Sequence, residues 1–480
     1  MKKHRLLSLL TVAAMVAALV VLAIPAASAE AVVWNGKSGT SIAAGSGTAD
    51  DPYLIKDPGE LDYIAAATVG GEKFEGKYFR LEIDVDWGGR EWTAIGTQSA
   101  PFGGVFDGNG KTVCNFTCTD VTVGLFGYAT NAEIKNLKVD YATITTDTRY
   151  AGAIVGLLRG SKVSGCVAGE NTVIAGASIM SNTAQIGGLF GLINSSTVDS
   201  CAFYGKVEVP NVSGSSFVGG IAGVIGNEST VSNCINYGSV SSPNANITES
   251  STFVGGIAGC IGSSSKVGTL EYCVNMGEVT CFEYAGGVIG RVHVAGSALN
   301  NCANLGTVKG GSGKGGAVIG QANKDLTATG NLGLQGSAEN LCASVTEGVS
   351  FPVGSCSFGT EAEIKASDLY SKAENAVLSL PVFSVIVPSA PQTEPETTVP
   401  ETTAKAPETE PQTTSPVTTS APETTAAPTE AAESSSAPDV TTAEPAKKSG
   451  CGSSVYAVTV ILSLVAGAGL AVCRKERGDR

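Results

Sequence analysis

The stretch Gly219-Gly-Ile-Ala-Gly223 returns as Gly255-Gly-Ile-Ala-Gly259, and close variants of it recur along much of the chain. The other copies are Gly124-Leu-Phe-Gly127, Gly152-Ala-Ile-Val-Gly156, Gly187-Gly-Leu-Phe-Gly191, Gly286-Gly-Val-Ile-Gly290 and Gly315-Gly-Ala-Val-Ile-Gly320. Their closing glycines are 29, 35, 32, 36, 31 and 30 residues apart. A period of this size is typical of stacked supersecondary units, each of which cannot bury its apolar face alone.

A second phrase follows the glycines in several repeats. It reads Cys234-Ile-Asn-Tyr-Gly238-Ser-Val240, Cys273-Val-Asn-Met-Gly277-Glu-Val279 and Cys302-Ala-Asn-Leu-Gly306-Thr-Val308. Such short alternating runs, broken by glycine, predict strands of about four to six residues with tight corners. Helical periodicity is absent between Val121 and Leu334. The sequence therefore predicts an all-β solenoid of about seven repeats, with parallel sheets buried on their inner side.

Stacking at about 4.8 Å per turn would align equivalent residues in columns. We expect one structural ladder of cysteines and one of asparagines, in which side-chain amides bond from turn to turn. Their members are Cys166, Cys201, Cys234, Cys273 and Cys302, and Asn236, Asn275, Asn304 and Asn331. The first repeat has Leu137 in the cysteine slot, which favours buried core thiols over disulfides. The repeat glycines are expected at corners that need positive φ or close packing.

One aromatic position recurs six residues before the closing glycine. It holds Tyr150, Phe217, Phe253 and Tyr284, interrupted by Gln185. If this register points outward, it forms a candidate binding strip, suited to stacking on sugar rings or anchoring a protein partner. If it points inward, it is ordinary core or edge packing, and the sequence favours this second interpretation.

Both ends of the chain predict membrane targeting. Residues 1–29 have the basic start, apolar run and Ala27-Ser28-Ala29 site of a cleaved signal peptide, with an uncleaved anchor as the alternative. Residues 451–473 predict a transmembrane helix, and the basic residues after it favour a cytoplasmic C-terminus. No Leu-Pro-x-Thr-Gly sorting motif is present. We therefore expect a single-pass protein of the bacterial cell membrane with an extracellular ectodomain.

Between these ends, the composition divides the chain into several parts. The expected order is signal peptide 1–29, N-terminal cap or leader 30–120, repeat solenoid 121–335, C-terminal cap 336–387, stalk 388–450, anchor 451–473 and cytoplasmic tail 474–480. The stalk is rich in Thr, Pro and Glu and is predicted to be disordered, because it cannot bury enough apolar surface to fold. Helix-start signals predict one helix in each cap, near Asp57-Pro-Gly-Glu60 and near Ser367-Asp-Leu-Tyr370.

The formal net charge of −14 is concentrated in the stalk, where ten acids and one lysine lie between Pro391 and Pro445. The rest of the ectodomain is only mildly acidic and has no basic run, which disfavours nucleic-acid binding.

No catalytic constellation is evident in the sequence. His293 is the one histidine after the signal peptide, so a His-Glu-x-x-His zinc site is impossible. We expect His293 to be an exposed loop residue. Asp84 and Asp86 share one face of a predicted strand, which allows a calcium site but favours corner hydrogen bonding. No metal or cofactor is expected.

The two repeated phrases resemble the GLUG repeat of bacterial surface proteins. The preceding Gly45-Ser-Gly-Thr-Ala-Asp-Asp-Pro-Tyr53 and Phe102-Gly-Gly-Val-Phe-Asp-Gly-Asn-Gly-Lys-Thr112 resemble the leader found ahead of such repeats. The resemblance covers roughly Gly45 to Gly333. It implies a right-handed β-helix-like fold and a cell-surface setting, but little about activity.

These features favour a surface adhesin or ligand-presenting scaffold without catalysis, whose partner is an unknown surface glycan or protein. One alternative is a carbohydrate-active enzyme on a β-helix, a polysaccharide lyase or glycoside hydrolase, which a cluster of surface carboxylates would favour. The other is a structural envelope spacer, which the absence of an exposed aromatic or apolar patch would favour.

Overall fold

The computed structural model describes residues 30–120, 122–146, 149–176, 184–209, 216–243, 252–390 and 448–449. The expected signal peptide, most of the expected stalk, and the expected anchor and tail lie outside the described residues. One compact unit comprises 1–392 with 442–480, and a second, 393–441, falls entirely outside the described residues. Within the described part of the chain, no helix has the length and apolar character needed to cross a bilayer.

The described chain is mostly parallel β-structure, as the repeats predicted. Each turn of about thirty residues pairs in parallel with the next, so that equivalent residues are neighbours. Phe217, for example, pairs with Phe253, and Phe253 with Tyr284. A full turn contributes up to five strands, and successive turns align these strands into five columns.

Columns 1 and 2 form one sheet of 14 strands. Column 1 contains Thr122–Val123, Tyr150–Ala151, Ala184–Gly187, Ser216–Gly219, Thr252–Gly255 and Tyr284–Gly286. Column 2 contains Phe126–Thr130, Val155–Arg159, Phe190–Asn194, Ala222–Gly226, Ala258–Ile261 and Ile289–Val292. Strand Gly315–Ala322 continues both columns, and Asn340–Val345 pairs with it at the end of the stack.

Columns 3 to 5 belong to the second sheet. Column 3 contains Lys162–Ser164, Thr197–Asp199, Ser229–Ser232, Gly268–Glu271, Ser297–Asn300 and Leu326–Thr329. Column 4 contains Val167–Ala168, Ala202–Phe203, Ile235–Asn236, Val274–Asn275, Ala303–Asn304, Asn331–Leu334 and Cys356–Gly359. Column 5 contains Val173–Gly176, Lys206–Glu208, Ser239–Ser242, Val279–Cys281 and Val308–Lys309.

The leader extends this second sheet. Its strands are Val32–Val33, Tyr53–Ile55, Tyr78–Leu81, Val85–Glu91 and Val105–Thr119, followed by Glu133–Thr146 of the first repeat. Tyr78–Leu81 pairs with the start of Val105–Thr119, which pairs along its length with Glu133–Thr146. That strand in turn pairs with the first members of columns 3, 4 and 5. The leader thus adds turns to the same stack.

Helix α1, Pro58–Val69, interrupts the leader and confirms the helix predicted there. Asp57 accepts a hydrogen bond from the Gly59 amide, and the Glu60 side chain accepts one from the Asp57 amide, which satisfies the first free amides of the helix. Leu61 and Ile64 are fully buried against the core of the first turns. Aromatic residues dominate this core, where Trp34, Trp87 and Trp92 pack in series.

The C-terminal helices lie along the side of the stack. Helix α2, Glu361–Lys365, follows the last strand of column 4, and helix α3, Asp368–Leu378, begins after its N-cap Ser367. The apolar face of α3 packs on the outward side chains of column 4, including Ile235 and Val274. The helix was predicted as part of a C-terminal cap, but it covers a flank of several turns instead.

After α3, the chain continues toward the leader as an extended strap, residues 379–390. A Cβ placed on Gly165 would be 3.5 Å from Leu380 Cδ2, and one on Gly110 would be 3.1 Å from Pro381 Cβ. Farther on, Ser384 Oγ donates to Asp84 Oδ2 (3.3 Å) and the Ser389 amide donates to Asp86 Oδ2 (2.6 Å). Helix α3 therefore lies along the repeats, and the strap runs from the first repeats to the leader.

Replacing Asp86 with Ala should release the end of this strap. The carboxylate accepts bonds from the Gly88 amide, Asn115 Nδ2 and the Ser389 amide, so its loss would leave three donors unpaired and cost about 3–5 kcal/mol of folding free energy. Denaturant unfolding measures the cost, and limited proteolysis measures cutting within 379–390. Asp50→Ala, at an exposed turn, is the control and should change stability by less than about 0.5 kcal/mol. Equal proteolysis of the two variants would show that Asp86 does not hold the strap.

Candidate functional site: a groove between columns 1 and 2

The four aromatic residues share one outward row on column 1, and three of them, Phe217, Phe253 and Tyr284, stack. Their neighbours Val218 and Val254 point the other way, into that core. The rings of Phe217 and Phe253 are 5.7 Å apart at 20°, and those of Phe253 and Tyr284 are 5.3 Å apart at 12°. Tyr150 stands two turns before Phe217, with Gln185 between them in register.

Column 2 supplies the opposite wall of the groove. Its outward residues Leu157, Leu192, Val224 and Cys260 are in successive register and pack in one apolar cluster with the aromatic row. Arg291 follows Cys260 in register. The two strands of each turn therefore meet at a corner that is concave on its outer side.

The closing glycine of each repeat makes this corner possible. A Cβ on Gly259 would lie 2.2 Å from the amide nitrogen of Val218 and 2.5 Å from the carbonyl carbon of Phe217, one turn earlier. Gly223 and Gly290 meet the preceding column 1 strand in the same way. A side chain at this position would separate the two columns, so glycine is required for close backbone approach and not for positive φ.

The middle of the aromatic row is buried within the groove. Phe217 is 8 % exposed and Phe253 is 2 % exposed, whereas Tyr150 and Tyr284 are half-buried. The ring faces are also occupied, because each faces the ring of the next turn. This geometry favours packing over sugar stacking for Phe217 and Phe253, and leaves only the tyrosines accessible.

The two ends of the groove differ in their side chains. At the leader end, a cleft of about 430 Å³ is lined by Tyr128, Thr122, Glu91 and Asp120 among others. Thr122 Oγ1 donates to the Tyr128 hydroxyl at 3.1 Å, and the Glu91 carboxylate accepts from two neighbouring threonines. At the other end, the Arg291 guanidinium carbon is 4.7 Å from the centre of the Phe253 ring.

The cysteine column lies inside the stack and faces the main core. Cys166, Cys201, Cys234, Cys273 and Cys302 have no exposed surface. Backbone amides donate along the column to the sulfur of the next turn, at 3.4 Å from Cys201 to Cys234 and 3.4 Å from Cys234 to Cys273. All eleven cysteines in the described residues are free thiols. Burial raises the pKa of Cys166, Cys234 and Cys302.

The asparagine column runs parallel to the cysteines. Asn236 Nδ2 donates to Asn275 Oδ1 at 2.8 Å, and Asn275 Nδ2 donates to Asn304 Oδ1 at 2.7 Å. Each Oδ1 also accepts the amide of the glycine two residues on, so these buried side chains fix the corner that follows them. Ser337 Oγ, 3.4 Å from Asn304 Nδ2, ends the column.

The assignment of Asn331 to this column was wrong. Gly333, two residues later, pairs with Asn304, while Asn331 Oδ1 accepts the Cys302 amide at 2.9 Å. Asn331 therefore occupies the next cysteine slot and ends that column instead. The cause is a register difference of two residues between the last repeat and those before it.

The acidic pair and the histidine occupy structural positions. Asp84 and Asp86 are 4 % and 2 % exposed and accept hydrogen bonds from the leader corners and the strap. Among the described residues, no group of three potential ligands is placed to hold a metal ion. His293 follows the strand Ile289–Val292 and is exposed, as predicted.

Sequence reasoning missed the surface beneath α3. The outward residues of the second phrase, Ile235 and Tyr237 in one repeat and Val274 and Met276 in the next, pack with this helix. Tyr237 also stacks on Tyr204 at 4.6 Å. The signal was that both x positions of Cys-x-Asn-x are apolar. These positions face outward, and an apolar outer face must be covered by another element.

No protein-family model matches the chain. Over 134 residues it is 34 % identical to the "Putative Gly-rich membrane protein" of Evansella cellulosilytica, a match that covers 25 % of this chain and 15 % of that protein. Over 146 residues it is 30 % identical to Halomucin of Haloquadratum walsbyi, covering 28 % of this chain and 1 % of that protein. The matched region thus spans a small part of the length of either relative, and neither assigns the chain to a family.

One solved structure is similar at low identity. It is titled a "putative immunoglobulin A1 protease from Bacteroides ovatus", with 20 % identity and a TM-score of 0.43, covering 67 % of this chain and 89 % of that one.

Replacing Phe217 and Phe253 together with Ser should lower the melting temperature sharply. Each ring is buried in the groove, and truncating a buried Phe costs about 3–5 kcal/mol. Tyr284→Phe, which keeps a half-buried ring in the same row, is the control and should change stability by less than about 0.5 kcal/mol. A near-normal melting temperature for the double variant would contradict the packing role.

The thiols should react slowly in the native state. Burial raises the pKa of Cys260 and Cys281 to about 12, so at pH 8 both are protonated and poor nucleophiles. Titration of the denatured chain without reductant should then recover nearly all eleven thiols of residues 30–390. Recovery of few thiols after denaturation would mean that disulfides form in the secreted protein.

Proposed function

We propose that this chain is a bacterial surface-anchored adhesin or ligand-presenting scaffold without catalytic activity. In this proposal a right-handed β-helix-like solenoid is displayed outside the cell on the Thr/Pro/Glu stalk. The stalk leads to a single membrane helix with a cytoplasmic C-terminus. The resemblance to a protein named as a Gly-rich membrane protein supports membrane association.

The path of the strap is the observation that carries the display role. Ser389 is hydrogen-bonded to Asp86 and Asn115 of the leader, so residue 390 lies beside the first turns. The predicted stalk, residues 388–450, begins within the last three residues of the strap. In this proposal the folded body is joined to the N-terminal end of the predicted stalk beside its leader.

The fold is well suited to a rigid presenting body. The five columns repeat the same inward contacts in every turn, so the body gains length without changing its cross-section. The turns differ in their outward residues, and a change in those residues alters the surface without disturbing the columns. The ligand is an unknown surface glycan or a host or bacterial protein.

Two measurements test the proposal. Protease added to intact cells should release a soluble fragment that contains residues 30–390, because the composition of the stalk gives it no packed core to resist cleavage. The purified full-length chain in detergent micelles should then bind at least one ligand on an array of glycans and host proteins. A chain that resists release from cells contradicts the surface topology, and an array without any specific ligand contradicts the binding role.

A further inference from the structure

The far end of the groove holds a cation, Arg291, that forms no ion pair among the described residues, although Glu283 lies near enough to act on its charge. Arg291 extends from column 2 over the Phe253 ring, where its guanidinium is half-buried. Its Nε is buried and has no hydrogen-bond partner in the described part of the chain. Buried donors are almost always satisfied, so an unsatisfied guanidinium nitrogen at a groove mouth indicates a missing acceptor. Burial also lowers the pKa of Arg291.

Lys314 adds positive charge near Arg291. Lys314 Nζ lies 4.5 Å from the centre of the Tyr284 ring, one turn beyond Phe253. Partial desolvation and the positive charges of Arg291 and Lys324 lower the pKa of His293, so this imidazole is neutral at pH 7 and adds no charge to the region. The sequence shows no such pairing of charges, because Arg291 and Lys314 come from two successive turns.

The carboxylates nearby are already committed. Glu283 pairs with Lys314 at 3.2 Å through one oxygen, and its other oxygen accepts the Thr252 amide at 2.9 Å. Asp325 Oδ1 accepts the Ser350 amide at 2.8 Å. Neither forms an ion pair with Arg291 in the described structure, so the site retains positive charge.

From this geometry we propose that Tyr284, Arg291 and Lys314 form a subsite for a carboxylate of an acidic polysaccharide lying along the groove. The inference rests on the proposed binding function and specifies its ligand class. The planar guanidinium matches a carboxylate through two parallel hydrogen bonds, and the half-buried Tyr284 offers a hydroxyl to a sugar beside it.

A glycan fits this surface better than a peptide strand does. Both columns are already paired with the turns on either side, so the groove offers no free sheet edge to an extended backbone. Hydroxyl groups of a sugar can instead pair with single polar side chains at the surface, such as the half-buried Tyr284.

Binding of low-molecular-weight alginate, a polymer of uronic acids, to the full-length chain tests the inference. Neutral dextran should not bind, and alginate binding should weaken as salt rises. Arg291→Gln should reduce alginate affinity by about tenfold or more, because a charge-assisted bidentate contact is lost. Arg291→Lys should keep the fold and the charge but recover only part of the affinity.

Two more variants separate binding from folding. Glu283→Gln should raise alginate affinity about two- to threefold, since it frees Lys314 while keeping an oxygen for the Thr252 amide. Arg80→Gln, which removes one positive charge from the leader, is the matched control and should bind as the parent does. Arg291→Lys is the folding control for the loss of binding in Arg291→Gln. It should keep the parent melting temperature and still bind alginate more weakly than the parent.

Several results would overturn the inference. They are unchanged binding by Arg291→Gln, equal binding of dextran and alginate, and weaker binding by Glu283→Gln. If the array identifies a neutral glycan or a protein as ligand while alginate does not bind, the subsite is wrong but the presenting function stands. If the array identifies no ligand and alginate does not bind, both are wrong.

Discussion

The backbone contact at the closing glycine is the constraint on which the rest of this structure depends. At Gly223, Gly259 and Gly290 a strand of column 2 touches the column 1 strand of the preceding turn, so closely that no side chain fits. This contact sets the angle between the two columns and makes the outer corner concave. The groove, its aromatic row and the position of Arg291 all follow from that angle.

A second constraint acts inside the stack, where polar groups must be satisfied without water. The asparagine amides bond to one another and to the glycine corners, so each turn fixes the geometry of the next. The second glycine of the repeated phrase fits against the same column, since a Cβ on Gly256 would be 2.3 Å from Asn275 Cγ. The two repeated phrases are therefore coupled by one packing requirement, although about twenty residues separate them in the sequence.

Helix α3 and the strap decide where residue 390 lies. Without them, the chain would leave the stack at the last turn. Because α3 covers column 4 and Ser389 bonds to Asp86, the chain instead leaves beside the leader. The carboxylates of Asp84 and Asp86 are thus used in fastening the strap and the leader corners, which accounts for their burial without a metal ion or catalysis.

The sequence by itself determined the period of the stack, its parallel β-structure, the helices near Pro58 and Asp368, and the residues that share a slot in each repeat. These properties are local, since they depend on spacing, glycine positions and helix caps such as Asp57 and Ser367. Only the tertiary structure decided what the slots face. Phe217 and Phe253 are outside the core yet buried, because the corner glycines bring column 2 against them. The slot of Asn331 and the cluster around Arg291 likewise depend on pairing between distant turns, and spacing alone cannot specify such pairing.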